Sequence, residues 1–234
     1  MNANDGAPRI LGVAFLLQAI TSLVSGVILN LSLIVPDNIS ETMTRIANHA
    51  WLLRANVFGE MITAVGVIFL GAVLFLTLRR QSEIMALVGL GFYILEATLL
   101  AASRISALSL LRISQEYSTV GHSIGLQAIG NLTLTSMNSG YQLLMLPFCL
   151  GAILFYYLLY KSAIIPRALS LWGLAAVSLA LVGTVSALAG HELSFAVYLP
   201  YLPFEFVVGT WILIGGGRPR LGGDNQRMSG SQAA

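Results

Sequence analysis

Residues 51–78 read WLLRANVFGEMITAVGVIFLGAVLFLTL, an almost unbroken apolar stretch that ends at the basic pair Arg79 and Arg80. A helix needs about 20 consecutive apolar residues to cross the ~30 Å hydrocarbon core of a bilayer. This stretch exceeds that length and carries only two charged residues, Arg54 and Glu60. It therefore predicts a transmembrane helix.

Five other segments have the same character: Ile10–Leu33, Ile84–Ala107, Asn138–Tyr160, Ala168–Leu188 and Phe195–Gly215. Over the whole chain, hydrophobic residues make up 56% and charged residues only 9%, whereas a soluble domain carries about 25% charged residues. We therefore predict an all-α polytopic membrane helix bundle of six transmembrane helices over residues 10–215, embedded in the lipid bilayer. The first segment is too long for a typical signal peptide, so we predict that it is retained.

Lysine and arginine residues in the connections predict the orientation, because cytoplasmic loops collect positive charge. Eight fall on one side: Arg9, Arg79, Arg80, Lys161, Arg167, Arg218, Arg220 and Arg227. The other side has Arg45 and Arg112, with Arg54 and Arg104 near its boundary. Both termini, residues 1–9 and a disordered tail over residues 216–234, are therefore predicted in the cytoplasm of a multi-pass plasma-membrane protein.

Two longer connections lie on the predicted outer side. Residues 36–50 indicate an amphipathic helix that leads into the second span, with Ser40 as its predicted N-cap. Residues 112–136 are too polar to cross the membrane. We predict that they form a helical segment lying at or above the outer surface.

Five ionisable residues fall within or at the ends of the predicted spans: Arg54, Glu60, Glu96, Arg104 and Glu205. A charge at the centre of a membrane helix costs at least ~2.5–3.5 kcal/mol on insertion scales, so such residues normally face the bundle interior. Counting ~1.5 Å per residue from the basic loops places all five in the outer half of the membrane. Three separate helices thus carry their rare charges at similar depth.

Polar residues extend this layer. Asn56 lies one turn from Glu60 on the same face of its helix, and Tyr141 and Gln142 lie on the fourth span. Tyr201 precedes Glu205 by four residues, near enough to donate a hydrogen bond to it.

We hypothesise that these residues form a ligand-binding polar pocket in the outer half, open toward the outer side. The three glutamates would form its base, with Arg54 and Arg104 at its mouth. The alternative is that the charges only form buried contacts that fix helix register. Interhelical polar contacts of that kind average ~0.6 kcal/mol.

No motif for metal binding, a cofactor or catalysis is present. The three histidines, His49, His122 and His191, fall in outer connections without an HExxH motif or paired-cysteine spacing, and Cys149 is the single cysteine. There is no GxSxG sequence. The net charge of +2 includes no basic stripe, which excludes a typical nucleic-acid-binding protein.

The stretch from Asn138 reads NSGYQLLMLPFCLGAILFYYLLYKSAIIPRALSLWG. Its core, GYxxxxxxFxxGxxxxxYLLYKSxxIPRxLxxWG, resembles the central part of the bacterial and archaeal membrane family catalogued as domain of unknown function 4386. The acidic third span, ILEATLL, and the closing LPFEFVVGTWILIGG agree with that family. The resemblance covers about residues 10–216. It implies a multi-helix membrane fold and no particular activity, because the family is named for lacking one.

The turn between the fourth and fifth spans contains Lys161, Pro166 and Arg167. Proline suits the first turn of a helix, where its missing N–H has no intrahelical partner. The turn is interpreted as a structural, orientation-setting connection with its cations at the lipid headgroups. The alternative is a docking site for a cytoplasmic protein.

Three functions remain open. An acidic outer pocket would suit a protein that binds or transports a small cation, an amine or a proton. The charges could instead stabilise an accessory or structural subunit that meets a protein partner or a second copy of itself. An intramembrane lipid-modifying enzyme is the third reading. A through-path would favour transport, a blind lipid-connected pocket an enzyme, and no pocket the accessory role.

Overall fold

The computed structural model describes residues 3–121, 123–191 and 193–216, and this part of the chain is helical with short turns and no strand. Five of its helices are long and apolar enough to cross a membrane, and a shorter apolar helix follows. The predicted all-α, multi-pass membrane class is confirmed. The predicted disordered tail from residue 217 and the residues His122 and Glu192 lie outside the described residues.

In chain order the helices are α1 (Ala3–Thr21), α2 (Asn30–Leu33), α3 (Ile39–Asn48), α4 (Ala50–Leu78), α5 (Glu83–Val120), α6 (Ile124–Ser162), α7 (Arg167–Leu188) and α8 (Leu202–Trp211). A π-helical stretch, Ser22–Leu29, joins α1 to α2 into one continuous candidate span and is called the π segment below. A second π-helical stretch, Ile212–Gly216, extends α8.

The sixth predicted span differs from the prediction. Residues 195–201 form a short 3-10 helix, Phe195–Val197, and turns, and the apolar helix runs only over Leu202–Ile214. At 1.5 Å per residue this helix is ~20 Å long, less than the ~30 Å hydrocarbon core. Pro200 cannot donate a backbone hydrogen bond, and Pro203 sits in the first turn of α8, where that loss is tolerated.

The predicted surface helix over residues 112–136 does not exist as a separate element. Residues 112–120 are the end of α5 and residues 124–136 the start of α6, and the two helices reverse direction at Gly121. With 38 and 39 residues, these helices are each about 57 Å long, almost twice the membrane core. Gly121 has φ 92°, a left-handed conformation that glycine adopts at helix C-termini without steric cost.

The projecting ends of α5 and α6 pack with α3 into a unit that we call the outer cap. It has an apolar cluster of its own, which includes Met43, Ile46, Leu110, Leu111 and Tyr117. Apolar residues of the two long helices therefore continue to find partners beyond the membrane core, which explains why the polar segment continues both helices instead of lying flat on the surface.

The N-cap of α3 is Asn38, not Ser40. The Asn38 side chain accepts a hydrogen bond from the Glu41 backbone N–H at 3.0 Å. The Ser40 hydroxyl instead bonds the Tyr117 hydroxyl at 2.8 Å, and that hydroxyl also accepts from Gln127 at 2.7 Å. The Tyr117 hydroxyl thus connects three helices of the outer cap.

The basic connections lie together at the opposite end of the bundle, which we call the basic end. Arg79 and Arg80 follow α4, and the exposed Lys161 and Arg167 flank the turn between α6 and α7. Pro166 is the N-cap of α7, one position before the predicted first turn. The Arg167 guanidinium lies 5.8 Å from the centre of the Tyr160 ring, within the range of a cation–π interaction.

The half of the bundle next to the basic end is packed with apolar side chains. Its buried residues, each at most 1% exposed, are Leu70, Leu74, Leu78, Ala86, Phe155, Leu158, Leu159 and Ile165. Tyr93 meets the edge of Phe155 with ring centroids 5.1 Å apart. Tight packing of this kind is the main force between helices in lipid, where no hydrophobic driving force remains.

Candidate functional site

A cavity of about 780 Å³ lies between the helices in the half of the bundle nearer the outer cap. The π segment and helices α4 to α8 all contribute to its lining. Four of the lining residues are ionisable: Glu60 on α4, Glu96 and Arg104 on α5, and Glu205 on α8. We call this space the central cavity.

Six of the eight predicted pocket residues line the central cavity: Glu60, Glu96, Arg104, Tyr141, Gln142 and Glu205. Arg54 and Asn56 do not. Arg54 is exposed, since six residues of helix, at 100° each, place it about 120° around the helix axis from Glu60. Asn56 is fully buried and donates a hydrogen bond to the Ser25 carbonyl at 2.7 Å, so its amide joins α4 to the π segment.

The π segment of the first span leaves room for the cavity because it packs against only one neighbouring span of the described chain, α4. Among the described residues, the π segment approaches α4 but neither α6 nor α7. Ser25 of this segment occupies the space that a side chain on Gly59 would need, and Gln18 lies against Gly66 in the same way. These glycines on α4 thus allow the first span to approach α4 closely, and the π segment stays apart from α6 and α7 on the other side of the cavity.

The short α8 leaves the same region unfilled. Its helix begins only at Leu202, and the irregular residues 193–201 lie before it, with Leu193, Tyr198 and Tyr201 in the cavity lining. The Trp172 indole donates to the Pro200 carbonyl at 3.1 Å and anchors this segment to α7. Irregular backbone at membrane depth is tolerated where it is buried in protein or lines a cavity.

A second cavity adjoins the central cavity on the side of the outer cap. This second space, of about 710 Å³, lies between residues 34–39 and the start of α6. It shares Ile34, Pro36 and Asn138 with the lining of the central cavity. We call it the vestibule, because it lies between the central cavity and the outer end of the bundle.

At its other end the central cavity meets the packed half of the bundle. Neither Leu74, Phe155 nor Leu159 contributes to its lining, and all three are fully buried. Within the described residues, the central cavity is therefore bounded by packed apolar side chains toward the basic end and adjoins the vestibule toward the outer cap.

Glu205 is held by a chain of phenolic hydroxyls. Tyr201 donates a hydrogen bond to Glu205 Oε1 at 2.7 Å, which confirms the prediction from their spacing. The Tyr201 hydroxyl also bonds the hydroxyl of Tyr156, on α6, at 2.8 Å. Tyr156 was not predicted as a site residue, since nothing in the sequence of its own span indicates which tyrosine contacts the segment that leads into α8. Glu205 also lies in the first turn of α8, where the helix dipole favours a negative charge.

Three other polar groups in the lining are buried without a complete set of partners. The side chains of Gln18, Glu96 and Arg104 are 7%, 6% and 4% exposed. Gln18 Oε1, Glu96 Oε2 and Arg104 Nη1 each lack a hydrogen-bond partner. The other guanidinium nitrogens of Arg104, Nε and Nη2, donate to Ser103 Oγ at 3.1 and 2.9 Å. Gln18 was not predicted from the sequence, although it is the one polar residue between Ile10 and Ile20.

The cavity charges do not form salt bridges with one another. Within the described part of the chain, the one ion pair with an N–O distance below 4 Å joins Arg45 to Glu41, at 2.6 Å on the exposed surface of α3. The same part of the chain contains no group of three or more histidine, cysteine or acidic residues arranged to hold a metal ion. The lining can therefore offer carboxylates, one guanidinium, amides and phenols to a ligand.

The fold and the site define a multi-pass helical membrane protein with a partly charged cavity between its helices. The model of the family described as "Domain of unknown function (DUF4386)" matches residues 10–216. The chain belongs to this family, as the stretch from Asn138 predicted. No curated protein and no solved structure matches the chain.

Proposed function

We propose that the protein binds a small cation or amine, taken up from the outer side of the plasma membrane into the central cavity. One observation carries the proposal: three carboxylates from three helices line a cavity that adjoins the vestibule on the outer side. Against one guanidinium, they leave the lining with a net formal charge of −2. A cavity of one sign between low-dielectric walls concentrates ions of the opposite sign.

The unpaired state of the buried charges favours ligand binding over a purely structural role. Charges that only held helices together would be expected to pair or to fill their hydrogen bonds within the protein. Glu96 and Arg104 each keep a buried atom without a partner, and both residues line the central cavity. An accessory subunit or an intramembrane enzyme has less support from this arrangement.

The proposed topology has both termini in the cytoplasm and six crossings. The exposed cations Arg79, Arg80, Lys161 and Arg167 support it, because they lie at the end opposite the vestibule. The sixth crossing would consist of residues 193–201 and α8 together. Transport would additionally require the packed half of the bundle to open, so the proposal concerns binding alone.

Titration calorimetry on the purified protein in lipid nanodiscs tests the proposal, with hexylamine and a panel of primary amines and alkali cations as probes. We expect saturable binding of at least one probe, weakened roughly tenfold or more by Glu96→Gln, because a charge-assisted hydrogen bond contributes about 1.5–3 kcal/mol. Glu116→Gln is the matched control, since Glu116 is exposed in the outer cap. Absence of binding by every probe, or equal losses in both variants, would show that the proposal is wrong.

A further inference from the structure

The unpartnered groups of the central cavity are of two kinds. Glu96 Oε2 and Gln18 Oε1 accept hydrogen bonds, whereas Arg104 Nη1 donates one. A simple amine offers only hydrogen-bond donors and would leave the guanidinium donor unpaired. A buried donor or acceptor without a partner costs about 1–3 kcal/mol, and more when it is charged. The cavity is therefore complementary to a ligand with both a cationic and an anionic end.

The two ends can be placed along α5. Glu96 and Arg104 are eight residues apart on this helix, which corresponds to ~12 Å along its axis. Because both side chains lean toward the N-terminus of α5, this backbone rise approximates the axial separation of their charged groups. A hydrogen bond of about 3 Å at each end leaves about 6 Å for the ligand. An extended dipeptide spans up to ~7 Å, so the separation fits a dipeptide or an ω-amino carboxylate and exceeds that of a single α-amino acid.

The region between the two ends is apolar. Leu100 lies midway between Glu96 and Arg104 on α5, and Leu144, Met145 and Phe148 contribute apolar side chains from α6. Such a lining matches a methylene chain better than a second peptide group, since a buried peptide group without partners is costly. Because α5 runs from the basic end to the outer cap, Arg104 is the residue nearer the vestibule.

We infer that the ligand is an elongated zwitterion of the ω-amino acid type, with its amino group at Glu96 and its anionic group at Arg104. This inference rests on the proposed function, since it specifies what the same cavity binds. The same chemistry, an amine and an anionic oxygen joined by a short chain, also occurs in the ethanolamine phosphate headgroup of a lipid. The two sources, a water-borne solute and a headgroup, are distinguished below.

The test compares two probes of equal chain length, ε-aminocaproate and hexylamine, which differ in whether they carry a carboxylate. Calorimetry in nanodiscs of phosphatidylglycerol keeps zwitterionic lipid out of the assay. We expect ε-aminocaproate to bind roughly tenfold or more tightly than hexylamine, as a charge-assisted hydrogen bond would give. Arg104→Gln should remove this preference and leave hexylamine binding in place.

Arg54→Gln is the matched control, because Arg54 is an exposed arginine on the neighbouring α4, outside the cavity lining. It should keep the full preference for ε-aminocaproate. Arg104→Lys, which retains the charge, should keep part of it. If Arg104→Gln does not fold, the ratio of the affinities for ε-aminocaproate and hexylamine still tests the inference, because it can be compared between the wild type and Arg104→Lys.

Equal affinities for the two probes in the wild type would overturn the inference and leave the proposed function standing, as would a preference that survives in Arg104→Gln. If neither probe nor any other amine binds, the proposed function fails and the inference with it. Repeating the titration in phosphatidylethanolamine nanodiscs identifies the source. A tenfold loss of ε-aminocaproate affinity indicates that the headgroup occupies the site, and an unchanged affinity indicates a water-borne ligand.

Discussion

The two halves of the bundle solve the same packing problem in opposite ways. In the half next to the basic end, side chains such as Leu74, Phe155 and Leu159 are fully buried against one another. In the outer half, the same helices enclose about 780 Å³ of space lined by Glu60, Glu96, Arg104 and Glu205. Both halves are built on α4, α5 and α6, so the difference lies in the side chains and in the elements that face them.

The difference shows which half of the bundle contains buried polar groups that do not contribute to packing. Buried polar groups that lack partners lower stability, and proteins commonly retain them at functional sites. Here both charged side chains with an unpartnered buried atom, Glu96 and Arg104, line the open half, as does Gln18. The other such atoms among the described residues belong to Asn56, Ser114 and Ser170, outside the cavity lining. The comparison therefore predicts that substitutions in the packed half reduce stability and that substitutions in the cavity reduce binding.

The largest effect is expected for Phe155→Ala in the packed half. Phe155 is fully buried against Tyr93, so its removal leaves a void that the neighbours fill only in part. We expect the free energy of unfolding to fall by about 3–5 kcal/mol, as measured by reversible unfolding in mixed micelles. Phe69→Ala is the control, because Phe69 is 46% exposed on the outside of α4. Similar losses in the two variants would mean that the two halves do not differ in this way.

An intermediate effect is expected for Gly151→Val at the contact between α5 and α6. A β-carbon on Gly151 would stand 2.7 Å from the Tyr93 ring, whereas one on Gly91 would meet nothing within 4 Å. The valine at position 151 should therefore separate the helices and lower the free energy of unfolding by about 1–3 kcal/mol. The same measurement on Gly91→Val should give a change near zero, and an equally unstable Gly91→Val would contradict the proposed close contact.

The smallest effect, and one of opposite sign, is expected for Glu96→Met in the cavity. The substitution removes a buried carboxylate oxygen that has no partner. We expect the free energy of unfolding to rise by about 1 kcal/mol, while amine binding is lost. Glu116→Met, in the exposed part of the outer cap, should change neither quantity. A fall in stability for Glu96→Met would indicate that this carboxylate serves packing after all.

The membrane class and most helices could be predicted from single segments, because a long apolar stretch in a bilayer has few alternatives to a helix. The prediction of helix bounds was wrong where contacts with residues distant in sequence, and not local hydropathy, determine the structure. The polar residues 112–136 continue α5 and α6 because Met43 and Ile46 of α3 pack against that extension. The last span is interrupted before Leu202, although its hydropathy alone indicates a full crossing.

The sequence by itself determined the all-helical membrane fold, the basic end, and the position of each rare charge along its helix, since these follow from length, hydropathy and the order of the residues. Only the tertiary structure decided which charges share a cavity, because the rotation of each helix depends on its neighbours. It turned Arg54 outward, joined Asn56 to the π segment, and placed Gln18 and Tyr156 beside the acidic residues. A residue's depth is a property of its own helix, whereas a binding site is a property of several.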